Sequence, residues 1–302
     1  MKPSLLYFVI LCGSILSLSC EKDEDSLIKH EDDNPTKTTY VNPPYPVDTD
    51  TLRILVLGNS FSTDAMTYMD TLVKASTIDE ETVCIYEGYL TSASFNTWTE
   101  LLLNEEPVTI YRRAGRIAMS TNETLRQLLN QPWDVIVIQQ ASRLSYIWDS
   151  YAILGKYIEL LTSSCPNKNV CLAFHMIWSH KPSEMPHLLQ GNIECYQKMA
   201  TQYGINVIIP TGTAIQLARG THLNDAAYMT RDNWHLNLGM ACYIASCTWF
   251  EALLRPVFRV SCIGNTARPQ PDYSDADILL GQQCAERAVM HPFEVEWKGE
   301  NN

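Results

Sequence analysis

Short apolar runs alternate with longer amphipathic stretches along the chain from residue 51 onward. The apolar runs predict buried strands at 53–57, 82–86, 108–111, 134–138, 170–177 and 206–209. The amphipathic stretches, in which apolar residues recur at helical spacing, predict helices at 64–75, 95–103, 123–129, 148–161, 187–203 and 238–253. Asn237 is placed to cap the last of these helices.

Strands that are apolar almost throughout are typical of a parallel sheet covered by helices on both faces. The sequence therefore predicts an α/β fold, with one domain over residues 51–295 that is long enough for a sizeable core. The chain shows no internal repeat and no glycine-rich phosphate loop. Residues after Arg255 are less patterned, and we expect them to pack across the domain as a C-terminal extension.

Residues 1–20 have the pattern of a secretory signal peptide. A positive start at Lys2 is followed by an apolar stretch over 5–18 that is too short to cross a membrane comfortably. The stretch ends at Ser19-Cys20, which resembles the lipobox of bacterial lipoproteins. That resemblance implies a lipid attached to Cys20, and the alternative is an ordinary cleaved signal with an incidental cysteine.

Residues 21–50 are acidic and rich in proline, which predicts a solvated tether. Acidic residues just after a lipidated cysteine resemble the export signal of Bacteroidetes surface lipoproteins, while a spacer without an addressing role fits the composition equally well. We therefore expect an outer-membrane lipoprotein that meets the membrane through its lipid anchor and faces the periplasm or the cell surface. The formal net charge of −12 disfavours nucleic acid as a partner.

The ten cysteines include no Cys-x-x-Cys pair, so neither a zinc knuckle nor a thioredoxin-type site is indicated. Export would permit disulfides, but several of these cysteines lie in apolar segments and suit the role of small buried hydrophobic residues. The sequence assigns no pairing. His175 and His180 lack the carboxylate spacing that a metal site would need, so no metal is expected.

The segment Gly58-Asn59-Ser60-Phe61-Ser62 directly follows the first predicted strand and precedes a predicted helix. A serine at this point lies at the carboxyl end of a strand, where open α/β sheets place their active sites. The N-terminus of the following helix also favours developing negative charge. Ser60 is therefore a candidate nucleophile, and the alternative is a serine that only caps the helix.

Asp232 and His235 lie three residues apart near the end of the domain. The imidazole could act as general base for a serine while the carboxylate accepts its Nδ1 proton and fixes the tautomer. The alternative is a turn aspartate next to an exposed histidine. With Ser60, these residues supply the nucleophile, the base and the orienting group of a serine hydrolase.

Three segments together resemble the SGNH (GDSL-like) hydrolases, and more specifically the DUF4886-type branch found in Bacteroidetes. They are Gly58-Asn59-Ser60-Phe61-Ser62, Gln139-Gln140 after a strand, and Asp232-x-x-His235-Leu236-Asn237-x-Gly239. Asn59 stands where aspartate is commoner in the family. The resemblance covers most of residues 52–255 and implies a three-layer α/β/α sandwich, flavodoxin-like, with a five-stranded parallel sheet.

The resemblance also implies roles for individual residues. Ser60 would be the nucleophile, His235 the general base and Asp232 its orienting partner. The oxyanion hole would use the backbone N–H of Ser60, the backbone N–H of Gly88 after the second strand, and a side-chain amide.

The side-chain amide is where the chain departs from the family. The usual Gly-x-Asn block is absent, and Gln139 or Gln140 stands in its place, much as a glutamine does in the sialate O-acetylesterase branch. Either amide could donate to an oxyanion. Two polar residues at a strand end are the alternative, and which one would enter the site depends on the pleat phase, which the sequence does not fix.

The mechanism implied is attack of Ser60 on an ester, formation of an acyl-enzyme and its hydrolysis by water, with no metal or organic cofactor. The expected substrate is an acylated carbohydrate or small ester that contacts Asn59 and Trp234. A carbohydrate O-acetylesterase is the first choice, and a lipase or thioesterase the second. A non-catalytic glycan-binding lipoprotein that retains the fold is the competing hypothesis, and the modified glutamine block is its best argument.

Overall fold

The computed structural model describes residues 51–113, 121–205, 207–270 and 273–296. The chain divides into two units, Met1–Thr38 and Thr39–Asn302, and all described residues belong to the second. The predicted signal peptide, Cys20, the whole predicted tether of residues 21–50 and the strand residue Asn206 lie outside the described residues.

Seven strands form one sheet. They are β1 Leu52–Gly58, β2 Val83–Tyr89, β3 Pro107–Arg113, β4 Thr121–Thr124, β5 Val135–Ile138, β6 Cys171–His175 and β7 Val207–Ile209. Their order across the sheet is β4-β3-β2-β1-β5-β6-β7. The five strands β2, β1, β5, β6 and β7 are parallel, and β3 and β4 extend one edge in antiparallel pairing. The five-stranded parallel sheet expected from the sequence is confirmed, in the flavodoxin-like strand order.

Helices cover both faces of the sheet. They are α1 Ser60–Ala65, α2 Met69–Lys74, α3 Phe95–Asn104, α4 Leu125–Leu129, α5 Leu154–Ser164, α6 Met185–Tyr203, α7 Thr211–Arg219, α8 Met240–Trp249, α9 Arg255–Phe258 and α10 Asp275–Met290. Single 3₁₀ turns lie at Glu80–Thr82, Trp148–Tyr151 and Pro182–Glu184, and a π-helical segment at Phe250–Leu254 joins α8 to α9. None of the described helices has the length and apolar character needed to cross a membrane.

Alternate residues of each strand enter two separate cores, as the pleat requires. In β5, Val135 and Val137 pack in the layer that contains α1, α2, α7, α8 and α10. Ile136 and Ile138 point to the other layer, with α3, α4, α5 and α6. This alternation continues into the residues that follow the strand and decides the position of the two glutamines described below.

The predicted helix 64–75 is in fact two short helices, α1 and α2. Ser246 Oγ of α8 donates to Ala65 O at 2.8 Å and accepts from Tyr68 N at 3.0 Å. The Ser246 hydroxyl therefore binds the carbonyl of Ala65 and the N–H of Tyr68, which a continuous helix would use for its own hydrogen bonds. The helix is interrupted there, and the chain turns between α1 and α2. The interruption is caused by a tertiary contact, which local propensity does not reveal.

Two helices, α7 and α10, are not predicted by the amphipathic pattern. Every residue of α7 except Gln216 is buried, so the helix has no polar face and no amphipathic period. α10 packs against α7 and α8, which confirms that the residues after Arg255 pack across the domain. Its N-terminus carries a capping box of Ser274 and Asp277, a local signal that would have identified it.

The predicted helix 238–253 begins later and continues further than expected. α8 starts at Met240 with Gly239 as N-cap, and helical structure runs on through α9. Asn237 still serves this helix N-terminus, because its Oδ1 accepts from Ala241 N at 3.2 Å. The eight cysteines of the described chain, from Cys84 to Cys284, are free thiols.

Candidate active site

The turn between β1 and α1 presents Ser60 at the carboxyl edge of the sheet. Asn59 is the N-cap of α1, and its Oδ1 accepts from Phe61 N at 3.0 Å. Gly58 is required here because a Cβ at this position would lie 2.1 Å from Ser62 Oγ. The cap of α1 is thus Asn59, which leaves the hydroxyl of the half-buried Ser60 available for another partner.

That partner is His235. Its Nε2 lies 2.8 Å from Ser60 Oγ, and its Nδ1 lies 2.7 Å from Asp232 Oδ2. Because an ionised carboxylate only accepts hydrogen bonds, Nδ1 carries the proton and Nε2 is left to accept from the Ser60 hydroxyl. The structure brings together the three residues that the sequence singled out, in the geometry of nucleophile, base and orienting group.

Asp232 holds its own loop as well as the imidazole. Its Oδ1 accepts from Trp234 N at 3.0 Å and from His235 N at 2.7 Å. Burial tends to raise the pKa of Asp232, but these bonds and the one from His235 Nδ1 outweigh burial and lower the pKa to about 2. The Asp232 carboxylate is therefore ionised at neutral pH. Because Asp232 lies three residues before His235, its side chain can bind both the backbone of the loop and the imidazole.

An ion pair between buried Asp64 and Arg231, whose side chain is 37% exposed, connects the base loop to the nucleophile helix. Arg231 Nη1 and Nη2 donate to the two oxygens of Asp64 in α1, at 3.0 and 2.9 Å. Leu236 N donates to the same carboxylate at 3.0 Å. Burial raises the pKa of Asp64 above its ordinary value, and the bonds from Arg231 and Leu236 N counter that rise in part. Asp64 and Arg231 thus position Ser60 and His235 relative to each other.

The opposite side of the base loop is held by the segment after β6. Trp178 Nε1 donates to Trp234 O at 2.8 Å, and Lys181 N donates to Asn233 O at 2.7 Å. Phe61 stacks on Trp178 with ring centroids 4.4 Å apart and lies 5.7 Å from the His235 ring. The base is therefore held by the segment after β6 through the loop backbone and by Phe61 of α1 through its ring.

Gln139 reaches the nucleophile turn from the neighbouring strand β5. Its Nε2 donates to Asn59 Oδ1 at 2.7 Å, and its Oε1 lies 2.7 Å from His175 Nδ1. His175 Nε2 in turn lies 3.0 Å from Thr211 Oγ1. β1 and β5 meet where the strand order reverses, which is the position of ligand sites in this class of sheet.

Asn59 and His175 together fix the orientation of the Gln139 amide. The His175 ring is fully buried, and burial lowers its pKa to about 3, so it is neutral at ordinary pH. Asn59 Oδ1 is an acceptor, so Gln139 presents Nε2 to Asn59 and Oε1 to His175. His175 Nδ1 therefore carries the proton, and Nε2 accepts from the Thr211 hydroxyl. The NH₂ group of Gln139 therefore faces Asn59 and the nucleophile turn.

Gln140 lies in the other layer. Its Oε1 accepts from Phe95 N at 3.2 Å and Ala141 N at 2.9 Å, and its Nε2 donates to Ser150 O at 2.9 Å. The pleat of β5 sends residue 139 to the side of α1 and residue 140 to the side of α3. Of the two glutamines expected at the oxyanion hole, Gln140 is a structural residue, and Gln139 is the one at the nucleophile turn.

The expected role of Gly88 in the oxyanion hole is wrong. Gly88 lies inside β2, paired with Leu57 of β1 and Ile110 of β3, so its backbone N–H is directed along the sheet toward a neighbouring strand. A Cβ at this position would lie 3.0 Å from the Leu57 side chain, which explains the glycine by packing. The loop that follows does reach the site, because Leu90 N donates to Gly58 O at 3.2 Å.

The two residues expected to contact substrate differ in their hydrogen bonding. Asn59 caps α1, and its Oδ1 already accepts from Phe61 N and Gln139 Nε2, so it is a positioning residue of the nucleophile turn rather than a substrate contact. Trp234 is half-buried next to His235. Among the described residues, no group of three or more His, Cys, Asp or Glu side chains is arranged to hold a metal ion.

Sequence reasoning missed four supporting residues: Asp64, Arg231, His175 and Thr211. Arg231 adjoins the Asp232 motif, but no local signal pairs it with Asp64, which lies 167 positions earlier. His175 ends the apolar run of β6 on the side of the sheet that faces α1, and a polar residue there was the signal for a buried contact.

The comparisons with known proteins come from one family profile and three solved structures. The profile described as "Domain of unknown function (DUF4886)" matches residues 53–279. A DUF4886 family protein from Bacteroides uniformis ATCC 8492 is similar in structure, with a TM-score of 0.72 and 28% identity over 82% of this chain and 97% of that chain. A search of curated proteins finds no significant match.

Two further structures are more distant. TesA has a TM-score of 0.44 and 12% identity, over 68% of this chain and 99% of that chain. A catalytic mutant of Axe2, an acetylxylan esterase from Geobacillus stearothermophilus, has a TM-score of 0.46 and 10% identity, over 68% of this chain and 96% of that chain. Such low scores do not establish a shared fold, so the fold assignment rests on the strand order.

We expect Asp64→Asn to lower the free energy of unfolding by about 2–3 kcal/mol, because the amide cannot accept from Arg231 on both atoms and leaves a charge poorly paired. Urea unfolding measures this. The matched control is Glu159→Gln, which breaks an exposed pair with Lys156 on α5 and should cost less than about 0.5 kcal/mol. Equal losses in the two variants would show that the Asp64 pair does not hold the site.

The buried His175 makes stability depend on pH. Its pKa is about 3 in the folded chain and about 6.5 when unfolded, so the unfolded chain takes up a proton first as the pH falls. From pH 6.5 to 5 we expect this histidine to reduce the free energy of unfolding by ~1.5 kcal/mol. Urea unfolding at both pH values should show a smaller drop in His175→Asn, whereas the exposed control His187→Asn should match the wild type.

Proposed function

The chain belongs to the DUF4886 family, and from the geometry of its site we propose that it is a serine esterase of the SGNH type that removes acyl groups from carbohydrate. One observation carries the proposal: Ser60 Oγ, His235 and Asp232 form a continuous hydrogen-bonded line, with contacts of 2.8 and 2.7 Å. The competing interpretation of Ser60 as a helix cap loses its support, because Asn59 is the cap.

The reaction follows from the positions of the protons. His235 Nε2 takes the hydroxyl proton as Ser60 Oγ attacks the ester carbonyl, and Asp232 stabilises the resulting imidazolium. The tetrahedral intermediate expels the alcohol, which receives the proton from Nε2, and leaves an acyl group on Ser60. A water molecule, deprotonated by His235, then attacks the acyl-enzyme and releases the carboxylic acid.

We assign the side-chain donor of the oxyanion hole to Gln139. Its Nε2 carries two hydrogens, and one of them is used by Asn59 Oδ1 at 2.7 Å. The second, together with the backbone N–H of Ser60, would stabilise the negative charge that develops on the carbonyl oxygen. We propose that a further backbone donor comes from the turn after Leu90, in the role that was expected of Gly88; this turn is tied to the end of β1 by the bond from Leu90 N to Gly58 O.

The hypothesis of a non-catalytic glycan-binding protein is weakened by the same contacts. Its best argument was the modified block at Gln139-Gln140, and Gln139 supplies an amide at the nucleophile turn. All three triad side chains are also present and mutually bonded. A lipase or thioesterase remains the second candidate, since the triad chemistry is the same for any ester.

The proposed substrate class, acylated carbohydrate, and the proposed location of the protein both rest on the sequence. We propose that the protein is an outer-membrane lipoprotein anchored through Cys20, with the acidic tether of residues 21–50 between lipid and domain. The resemblance of Ser19-Cys20 to a lipobox supports this. An enzyme held at the cell envelope would meet acylated glycans, which favours a carbohydrate esterase over one that acts on intracellular thioesters.

We expect Ser60→Ala to lower kcat by about 10³-fold or more, because the nucleophile is lost while the fold is kept. Acetate release from 4-nitrophenyl acetate, acetylated xylan and acetylated pectin measures the activity. Ser163→Ala, an exposed serine of α5, is the control and should match the wild type. Fluorophosphonate labelling should disappear in Ser60→Ala alone, and a folded wild-type protein that neither labels nor hydrolyses would refute the esterase.

We expect Gln139→Glu to reduce kcat by about 10²–10³-fold with little change in KM, because a carboxylate next to the oxyanion repels it instead of donating. Steady-state kinetics on 4-nitrophenyl acetate give both constants. Gln140→Glu is the matched control: it should reduce the free energy of unfolding, since its contacts to Phe95 and Ser150 are structural, and leave kcat near that of the wild type. A larger loss of kcat in Gln140→Glu would reverse the assignment.

A further inference from the structure

Two cationic side chains lie against the Trp234 ring, next to the catalytic base. Arg143 Cζ and Lys181 Nζ are each 5.4 Å from the ring centroid. Arg143 Cζ and Lys181 Nζ can therefore lie no further apart than twice that distance. Trp234 precedes His235 in the chain, so this basic cluster of Arg143, Lys181 and Trp234 borders the site at which Ser60 would react.

The cluster is held in place by the fold. Arg143 lies in the loop after β5, four residues beyond Gln139, and Lys181 lies in the loop after β6. Lys181 N donates to Asn233 O at 2.7 Å, and both residues have a positive φ, of 53° and 67°. Non-glycine residues adopt this conformation only where other contacts impose it, and such strain is typical of functional sites.

Trp234 is a support for the cations more than an open platform. One face of its ring stacks on His180, with centroids 4.2 Å apart. His180 is 2% exposed, and its Nδ1 has no hydrogen-bond partner among the described residues. Since His180 covers one face of the ring, Trp234 supports the two cations and does not offer that face to a ligand.

The charged side chains around the basic cluster do not neutralise the positive charge of Arg143. Lys181 pairs with Glu184 at 3.2 Å, and Arg219 is bonded to the Ser179 and Tyr228 carbonyls. Arg143 is exposed, and no acidic partner for it is found among the described residues. The chain as a whole is acidic, with a formal net charge of −12, so an exposed arginine against the ring that precedes the catalytic base runs counter to the overall charge.

A guanidinium that lies over an aromatic ring keeps its in-plane N–H groups free. These groups match a carboxylate in a bidentate hydrogen bond, which a lysine cannot reproduce. We propose that Arg143, supported by Trp234 and assisted by Lys181, forms a subsite for a carboxylate of the substrate, so that the preferred ester is one on an acidic sugar or with an acidic acyl group. This inference rests on the proposed esterase function.

The test compares esters that differ only in charge. One pair is an acetylated methyl glucuronoside and the same compound with its carboxylate converted to a carboxamide. The other pair is the 4-nitrophenyl monoester of succinic acid and its carboxamide. The first pair places the carboxylate on the sugar and the second on the acyl group. The measured quantity is the ratio of kcat/KM for the acid to that for the amide.

We expect the wild type to prefer the acid by about tenfold or more in one of the two pairs, since a charge-assisted bidentate bond contributes about that much. Arg143→Gln should reduce the ratio to near one, and Arg143→Lys should keep only part of it. Lys156→Gln, which removes a positive charge from the exposed face of α5, is the control and should keep the wild-type ratio.

A ratio near one in both pairs, or a preference that Arg143→Gln does not change, would overturn the subsite. Failure of the esterase itself would appear differently, as the absence of any Ser60-dependent hydrolysis. In that event, calorimetric titration of the Ser60→Ala protein with glucuronate and with glucuronamide still tests the subsite. Binding of glucuronate but not of glucuronamide, lost on Arg143→Gln, would support the subsite. Equal binding of the two ligands, or binding of neither, would refute it.

Discussion

The ion pair between buried Asp64 and the more exposed Arg231 is the constraint on which the geometry of the candidate site depends. Asp64 lies in the same helix as Ser60, and Arg231 lies in the same loop as His235. Side chains 167 positions apart are thereby held in one arrangement, with Leu236 N as a third contact to the carboxylate. Since an ion pair of this kind costs desolvation, its value lies in the fixed geometry more than in net stability.

A second polar chain fixes the other half of the site. It runs from Thr211 through His175 and Gln139 to Asn59, with contacts of 3.0, 2.7 and 2.7 Å. Each member has one orientation compatible with its neighbours. The direction of the Gln139 amide therefore follows from its two partners, Asn59 on one side and neutral His175 on the other. A buried network that is fully satisfied specifies one arrangement, whereas a single missing partner leaves a costly unpaired group.

The sequence predicted what depends on local pattern and failed where distant contacts decide. Ser60, Asp232 and His235 stand in short motifs, and the parallel sheet follows from apolar runs. Gly88 was misplaced because the predicted second strand ended at Tyr86, whereas β2 continues to Tyr89. Glu87 is fully buried in β2 and accepts from the hydroxyls of Ser62 and Thr63.

The choice between Gln139 and Gln140 could not be made from the sequence because it depends on which face of β5 packs on α1. The break between α1 and α2 similarly depends on Ser246, which inserts from α8. In each case the missing information is the position of an element that is remote in sequence. The motifs therefore identified the residues of the triad, while the packing of remote elements determines which neighbouring side chains contact them.

The backbone of the base loop shows the same dependence on the rest of the fold. Four of the seven non-glycine residues with positive φ in the described chain are Lys181, Tyr228, Met229 and Asn233, all in the two segments that hold His235. Conformations of this kind are locally unfavourable and persist only where surrounding contacts impose them. His235 is thus positioned by Asp232 within its own loop and by the contacts that Asp64, Trp178 and Lys181 make to that loop. Loss of the contacts from outside the loop would therefore release the base before the sheet itself is disturbed.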